Sequence, residues 1–321
     1  MEGVKQKPLS RKEISEKIFV LVNPVSANSK TEKEWPNIAE FLKNHNINFH
    51  YKKSEYPEHS VAIVRNAIKN GYKYIMSVGG DGTINEVVNG FFENGILINN
   101  EAKLIIFSRG TGSDFIKSLG IGNSKKDIIK IIKNGKEKLV DLAKVCYISN
   151  EGNKAERYFI NISDAGLGGE TVARVNKSSK FFGGTITYLL GVLKTLYLYK
   201  NKKFELIIDG KKVINKKINS VMVANGSYFG GGMKIAPEAV VDNGFLNIVV
   251  LGDLSKLEII KNLYKAYTGS HLSHKKIQSF KGKEVKINSR EKVLLNVDGE
   301  SVGSLPAKFK ICPQKLKIQV I

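Results

Sequence analysis

Val78-Gly79-Gly80-Asp81-Gly82-Thr83-Ile84-Asn85-Glu86 decides the fold of this 321-residue chain. The residues before it, Tyr72 to Val78, are rich in aromatic and β-branched side chains and read as a strand. After it, Ile84, Val87, Val88, Phe91 and Phe92 fall on one helical face. Thr83, with Glu86 three residues later, reads as a capping box that opens this helix. The chain therefore runs strand, glycine turn, helix N-terminus. Free backbone N–H groups and the positive end of the helix dipole converge there, an arrangement that suits a phosphate. The glycines let a ligand approach the backbone closely. Asp81 repels phosphate in such a loop unless a cation or a hydroxyl intervenes, which points to phosphoryl transfer with Mg2+ between carboxylate and phosphate. Gly-Gly-Asp-Gly is also an ordinary turn sequence, so the rest of the chain has to decide.

Composition narrows the choice. Hydrophobic residues make up 42% of the chain, as in a globular protein with room for two domains. There is no apolar run of about 18 residues, so no membrane span is expected. Met1 to Lys17 is polar and charged, without an apolar signal-peptide core, and reads as a flexible leader. Cys146 and Cys312 lie far apart without metal spacing, so reduced, buried thiols and a cytoplasmic location are expected. The formal net charge is +21. A solvated lysine-rich surface explains much of it. Of the functional alternatives, an anionic membrane surface fits better than nucleic acid, because no nucleic-acid-binding module accompanies the charge.

Strand and helix signals alternate through the first part. Ile18 to Val22 reads as a strand and ends in the polar turn cluster Asn23-Pro24-Val25-Ser26-Ala27-Asn28-Ser29-Lys30. Thr31 with Glu34 reads as a cap for a helix to about Asn44. Ile47 to Lys53 is a second strand, Ser60 to Asn70 a helix closed by Gly71, and Leu104 to Phe107 a buried strand. Arg109-Gly110-Thr111-Gly112-Ser113-Asp114 follows that strand, and Lys126 to Lys133 reads as a helix. Such alternation implies a parallel sheet covered on both faces, with its ligand beyond the carboxyl ends of the strands. The turns after Val22, Val78 and Phe107 should therefore meet at one crevice.

Beyond about residue 140 strands dominate: Leu139 to Ile148, Arg157 to Ile162, Lys203 to Ile208, Lys212 to Ile218, Ser220 to Ala224, Phe245 to Leu251, Glu284 to Ile287, Lys292 to Val297 and Leu316 to Val320. Asp209-Gly210 and Asn243-Gly244 mark tight turns. The expectation is a mostly antiparallel β domain with helical insertions at about Phe181 to Tyr199 and Ser255 to Thr268, the second opened by a Ser255–Glu258 capping box. The division expected is a nucleotide-binding domain over residues 18–138 and a β-rich lipid-substrate domain over 139–308, with 309–321 as a candidate to rejoin the first.

At this point the chain resembles the diacylglycerol kinase catalytic family, and within it the bacterial soluble lipid kinases. The segments that carry the resemblance are Val22-Asn23-Pro24, Ser54 to His59, Gly79 to Asn85, Gly110 to Asp114, Asn161 to Gly168, Ala224-Asn225-Gly226, Phe229 to Met233, Pro237 to Leu246 and Asp298-Gly299-Glu300. Each is weak alone; together they stand in the family's order from about Ile18 to Ile321.

The resemblance implies a Rossmann-like, phosphofructokinase-like three-layer α/β domain followed by a β-sandwich domain. It implies an ATP- and Mg2+-dependent kinase acting on a lipid hydroxyl such as that of diacylglycerol. Asn23, Pro24 and Ser26 correspond to the first nucleotide loop. Ser54 stands at a nucleotide-contacting threonine, and Gly110 and Thr111 at the third loop. Gly79, Gly80, Asp81, Gly82, Thr83, Asn85 and Glu86 correspond to the phosphate loop and its helix, with Asp81 supporting Mg2+ or phosphate. Asp298 and Glu300 match the Asp-Gly-Glu motif that holds the catalytic base, and either could be that base. A simple hairpin turn is the other reading of Asp298-Gly299-Glu300.

The chain departs from the family pattern at several positions. Ala27 and Glu58 replace glycines, Ser113 replaces an asparagine, and Asn243 replaces the aspartate of a structural Mg2+ site that would comprise Val240, Asn243 and Phe245. A neutral amide is a poorer Mg2+ ligand. Phe181-Phe182-Gly183-Gly184 and Tyr188 to Tyr199 are apolar enough to hold an acyl chain or to form core, and Lys194, Lys200, Lys202 and Lys203 stand beside them. The expected setting is cytoplasmic with peripheral membrane association and no nucleic acid; a homodimer is left open. NAD kinase, which shares the Gly-Gly-Asp-Gly loop, is the alternative enzyme. A lipid-binding or regulatory protein on a kinase scaffold is the non-catalytic alternative.

Overall fold

The structure, a computed structural model, describes residues 17–110, 112–178 and 194–321. The leader before Lys17, Thr111, and the expected insertion from Phe181 as far as residue 193 lie outside the described residues. The first domain comprises β1 (Ile18–Val22), α1 (Ser26–Asn44), β2 (Phe49–Lys53), α2 (His59–Lys69), β3 (Tyr74–Gly79), α3 (Asp81–Gly90), the short β4 (Phe92–Glu93) and β5 (Ile96–Leu97), β6 (Lys103–Ser108), α4 (Asp114–Leu119) and α5 (Lys125–Asn134). The second comprises β7 (Lys136–Ser149), β8 (Lys154–Phe159), β9 (Ile162–Gly166), α6 (Leu167–Ser178), β10 (Lys202–Ile208), β11 (Lys211–Ile218), β12 (Ser220–Ala224), β13 (Leu246–Leu251), α7 (Lys256–Thr268), β14 (Ile277–Gly282), β15 (Glu284–Asn288), β16 (Leu294–Val297) and β17 (Glu300–Val320).

β2, β1, β3 and β6 lie side by side, all parallel. Period-two alternation sends neighbouring side chains of these strands into different cores. Ile75 of β3 joins Ile63 and Val64 of α2, Val87 of α3 and Phe91 just beyond it. Met76, the next residue, joins Trp35, Ile38 and Leu42 of α1 and Ile128 and Ile131 of α5. Burial on both faces explains why these strands read as continuous apolar runs. The second domain encloses its own core between two antiparallel layers, with Phe159, Phe204, Val250, Leu295 and Phe309 at the centre.

One strand connects the two domains. β17 pairs with β16 near its start, with β15 from Ala307 to Lys310, with β7 along most of its length, and finally in parallel with Lys103 and Leu104 of β6. Only Leu316 to Val320 of it was expected from sequence. Pro306 and Pro313 demote a strand reading because proline cannot donate to the ladder. Here both prolines fall in the register breaks against β7, between Ser304 and Lys308 and between Cys312 and Leu316. β7 likewise runs unbroken through residue 138, so a division of the chain there falls inside a strand. β14, an edge strand with little apolar content, was not legible either.

Two expected capping boxes do not form. α3 starts at Asp81 after Gly80 without a side-chain cap, and α1, kinked by left-handed backbone at Ala27, Asn28 and Ser29, has no side-chain cap at its start either. The four side chains find other partners instead. Thr83 Oγ1 accepts from Asn23 Nδ2 at 2.9 Å, and Glu86 accepts the backbone N–H of Glu58 at 3.0 Å. Thr31 bonds Ser26 through their hydroxyls at 2.5 Å, and Glu34 pairs with Arg109. The Ser255–Glu258 box at α7 does form, and so does a Ser124–Asp127 box at α5. Both cysteines are free thiols, but Cys146 is exposed rather than buried because it points outward from β7.

The departures Ala27, Glu58 and Ser113 all have left-handed backbones, with φ of 52°, 65° and 48°. A Cβ destabilises that conformation, whereas glycine adopts it freely. Ala27→Gly and Glu58→Gly are therefore each expected to raise stability by up to about 1 kcal/mol. Thermal or urea unfolding of the single variants checks this; a lower midpoint in both would count against it.

Candidate active site in the interdomain cleft

The turns after β1, β3 and β6 meet at the carboxyl end of the parallel sheet. Asn23 N donates to Val78 O at 2.9 Å and Arg109 N to Gly79 O at 2.6 Å, so each outer loop is bonded to the central strand. Glycines allow this closeness. A Cβ on Gly110 would lie 2.7 Å from Gly80 Cα, and one on Gly79 would lie 2.3 Å from Thr83 Oγ1. Gly79, Gly80 and Gly110 thus serve loop-on-loop packing. Asn23, Pro24 and Ser26 are half-buried at the rim, and Ser54 is buried beside them with its N–H on Val22 O at 3.0 Å.

Asp81 ties two loops together. Its carboxylate accepts the N–H groups of Asp114 and Phe115, both at 3.2 Å, and so caps α4 across the crevice. Burial, followed by repulsion from the Asp114 carboxylate, raises its pKa, while the two N–H donors oppose the rise. Asp114, which sequence reading left without a role, bonds Lys117 Nζ at 3.3 Å and the Gly231 N–H at 2.8 Å. Both carboxylates border Gly112: a Cβ there would be 3.2 Å from Asp114 Oδ2 and 3.5 Å from Asp81 Oδ2. Two neighbouring carboxylates offer the hard oxygen donors that a Mg2+ ion takes together with phosphate oxygens. Among the described residues no group of three or more such side chains could hold a metal unaided.

Asp298 occupies the joint between the domains. It and Gly299 have φ of 47° and 92°, the left-handed pair of a tight hairpin between β16 and β17. The hairpin reading of this turn therefore holds. The Asp298 side chain points inward and is only 4% exposed. It accepts Ile160 N at 2.9 Å, Asn85 Nδ2 at 2.8 Å, and Asn161 N and Ile162 N at 3.0 Å each. Burial pushes its pKa up to about 6 against the pull of these donors. With four N–H groups on its two oxygens, it has no free lone pair facing the cleft.

Glu300 is placed differently. The residue is exposed, but its carboxylate lies over the phosphate loop, where a Cβ on Gly82 would be 2.7 Å from its Oε1. Surrounding protein raises its pKa; Arg157 opposes the shift, and Glu86 and Glu58 add to it. Arg157 gave no signal in the sequence, being one basic residue on a polar strand. In the fold its side chain is 12% exposed, 3.8 Å from Glu58, and donates to Asn85 Oδ1 at 2.5 Å. Asn85 therefore bridges Arg157 to Asp298. Beside Arg157 lies a cavity of about 550 Å³ whose walls include Arg65, Lys144, Tyr147 and Tyr158.

The second metal site suggested by the resemblance does not fit. Asn243 Oδ1 accepts the Phe245 N–H at 3.0 Å, and the Asp242 carboxylate pairs with Lys138 at 2.8 Å. Val240 and Phe245 can add only backbone carbonyls. No free carboxylate remains in this loop, and Mg2+ needs at least one.

Three glycine-rich or polar turns at the end of a parallel sheet, with a carboxylate above them, are the arrangement of a phosphotransferase. Residues 17–145 match the diacylglycerol kinase catalytic domain, and residues 162–320 match the YegS C-terminal NAD kinase beta sandwich-like domain. The chain is 32% identical over 241 residues to a diacylglycerol kinase of Bacillus subtilis, covering 74% of each. It is 27% identical over 294 residues to one of Staphylococcus aureus, covering 90% of this chain and 88% of the other. The fold matches the crystal structure of a diacylglycerol kinase from Bacillus anthracis with a TM-score of 0.71, at 23% identity, over 95% of this chain and 97% of that one. The chain belongs to the diacylglycerol kinase catalytic family.

Asp298→Asn places an amide NH2 against N–H donors. It is expected to cost about 3 kcal/mol of stability. An unchanged unfolding midpoint for this variant would contradict the structural role given to Asp298.

Proposed function

We propose that the protein transfers the γ-phosphoryl group of ATP to the hydroxyl of a diacylglycerol-class lipid at an anionic membrane surface, with Glu300 as proton acceptor. The observation that carries this reading is the Glu300 carboxylate over Gly82, the one carboxylate of the Asp-Gly-Glu motif that is free to take a proton. A lipid hydroxyl is a weak nucleophile and needs a positioned acceptor. As its oxygen bonds to the γ-phosphorus, its proton passes to Glu300, the bond to the β,γ-bridging oxygen breaks, and ADP leaves. The loop N–H groups and the N-terminus of α3 bind and orient the phosphates. Mg2+ at Asp81 and Asp114 would neutralise phosphate charge, which is much of what phosphoryl transfer requires. Asp298 positions Asn85, and through it Arg157, rather than acting as base. The two free thiols fit a reducing compartment such as the cytoplasm.

The test is purified protein with radiolabelled ATP, Mg2+ and diacylglycerol in mixed micelles, read by thin-layer chromatography. Labelled phosphatidic acid is expected. Glu300→Gln should lower kcat by about 10²–10⁴-fold while leaving the unfolding midpoint near wild type. Labelling of NAD with no lipid product would replace this reading by the NAD kinase one; no transfer to any acceptor would favour a non-catalytic scaffold.

Arg157 sets the working pH of Glu300. The base acts when ionised, so activity is present above its pKa and lost below it. Arg157 lowers that pKa. In Arg157→Met the acid limb of the pH–rate profile should move to higher pH, and in Arg157→Lys it should move back. Identical acid limbs in wild type and Arg157→Met would rule this out.

A further inference from the structure

Helix α7 turns its largest apolar side chains outward. Leu257, Ile260, Leu263, Tyr264 and Tyr267 are all exposed, Leu257 at 68% and Tyr264 at 66%. At 100° per residue they form one stripe. The buried contact of the helix is Ala266, which packs with Met222, Ile235 and Val249 on the outer face of the β12–β13 layer. An ordinary surface helix is built the other way round. The helix is well formed from its start, because its capping box is complete. The patch also extends beyond α7: Tyr197 and Leu198 are exposed next to it, and the Lys256 ammonium lies 4.6 Å from the centre of the Tyr197 ring.

Charge identifies the occupant. Lys256, Lys261 and Lys265 flank the stripe. The one carboxylate on the helix, Glu258, is turned back to its cap and to Lys276 at 2.8 Å. A second copy of the same face would oppose lysines to lysines, in a chain of net charge +21. An anionic bilayer complements them: aromatic and aliphatic side chains enter the acyl boundary while lysine stems extend to the phosphates. We propose that α7, with Tyr197 and Leu198, is the surface by which the protein lies on an anionic phospholipid bilayer. This rests on the lipid-kinase reading and adds the contact face to it. The helix is close-coupled to the cleft. Ala266 O accepts Lys234 N–H at 2.8 Å, Phe229 and Met233 bond each other's backbones, and Gly231 of that loop bonds Asp114 at the phosphate site.

The experiment is flotation of the full chain with phosphatidylglycerol/phosphatidylcholine vesicles and with pure phosphatidylcholine vesicles. Wild type should float with the anionic vesicles and less so as salt rises. Ile260→Ser/Tyr264→Ser should weaken vesicle binding by about tenfold or more. Lys261→Glu/Lys265→Glu should abolish the preference for phosphatidylglycerol. Both variants should keep the wild-type unfolding midpoint and the wild-type rate on a dispersed short-chain diacylglycerol. Wild-type flotation by both variants would overturn the proposal. So would a wild-type dimer that the apolar substitutions split without changing flotation. If the short-chain lipid is phosphorylated while the variants float normally, the docking face falls and the kinase reading stands. If no lipid is phosphorylated but flotation depends on α7, the reverse holds.

Discussion

The Asp298 carboxylate is the interaction on which the cleft depends. A buried charge is tolerated only with its hydrogen bonds complete, and here the four donors come from different parts of the fold. Ile160, Asn161 and Ile162 belong to the β8–β9 segment of the second domain, and Asn85 belongs to the helix that follows the phosphate loop. The same carboxylate that turns the β16–β17 hairpin therefore fixes the distance between the domains. Glu300 is two residues along that hairpin, on the first residue of β17. Its position over Gly82 follows from an anchor whose own oxygens are taken up by N–H donors.

β17 makes this geometry rigid. A strand that starts at the Asp298-Gly299 hairpin and ends parallel to β6 leaves no flexible tether between Glu300 and the glycine turns. The shared core reinforces it. Tyr158 and Ile160 of the second domain pack with Val87, Val88 and Phe91 of the first. The cleft is thus a seam in one body, with Arg157 and the neighbouring cavity beside it.

Carboxylates here do different work according to their surroundings. Asp81 gives its oxygens to backbone N–H groups of α4 and carries the cost of facing Asp114. Asp298 is saturated with donors. Glu300 is left with Arg157 as its nearest favourable charge and with two glutamates opposing it. The motif pattern singled out all three but could not rank them, because the number of donors on an oxygen is a property of the folded chain. Arg157 and Asp114 went unread for the same reason: a basic residue on a polar strand and an aspartate in a turn have ordinary local explanations. Thr83 and Glu86 went wrong in the opposite direction. Their spacing fits a local cap, but bonds to Asn23 and Glu58 across the loops took their place.

What the sequence determined by itself was the alternation of buried parallel strands with helices, the antiparallel texture after residue 140, and the loops that must gather at the strand ends. These depend on local periodicity and on residues with restricted or permissive backbones, both of which are properties of short segments. The tertiary structure decided which carboxylate is free, that Ala27 and Glu58 sit in strained left-handed backbone, that the last strand spans both domains, and that the apolar face of α7 points to solvent. Each of these depends on groups far apart in the chain coming within a few ångströms, or failing to, and no local pattern encodes that.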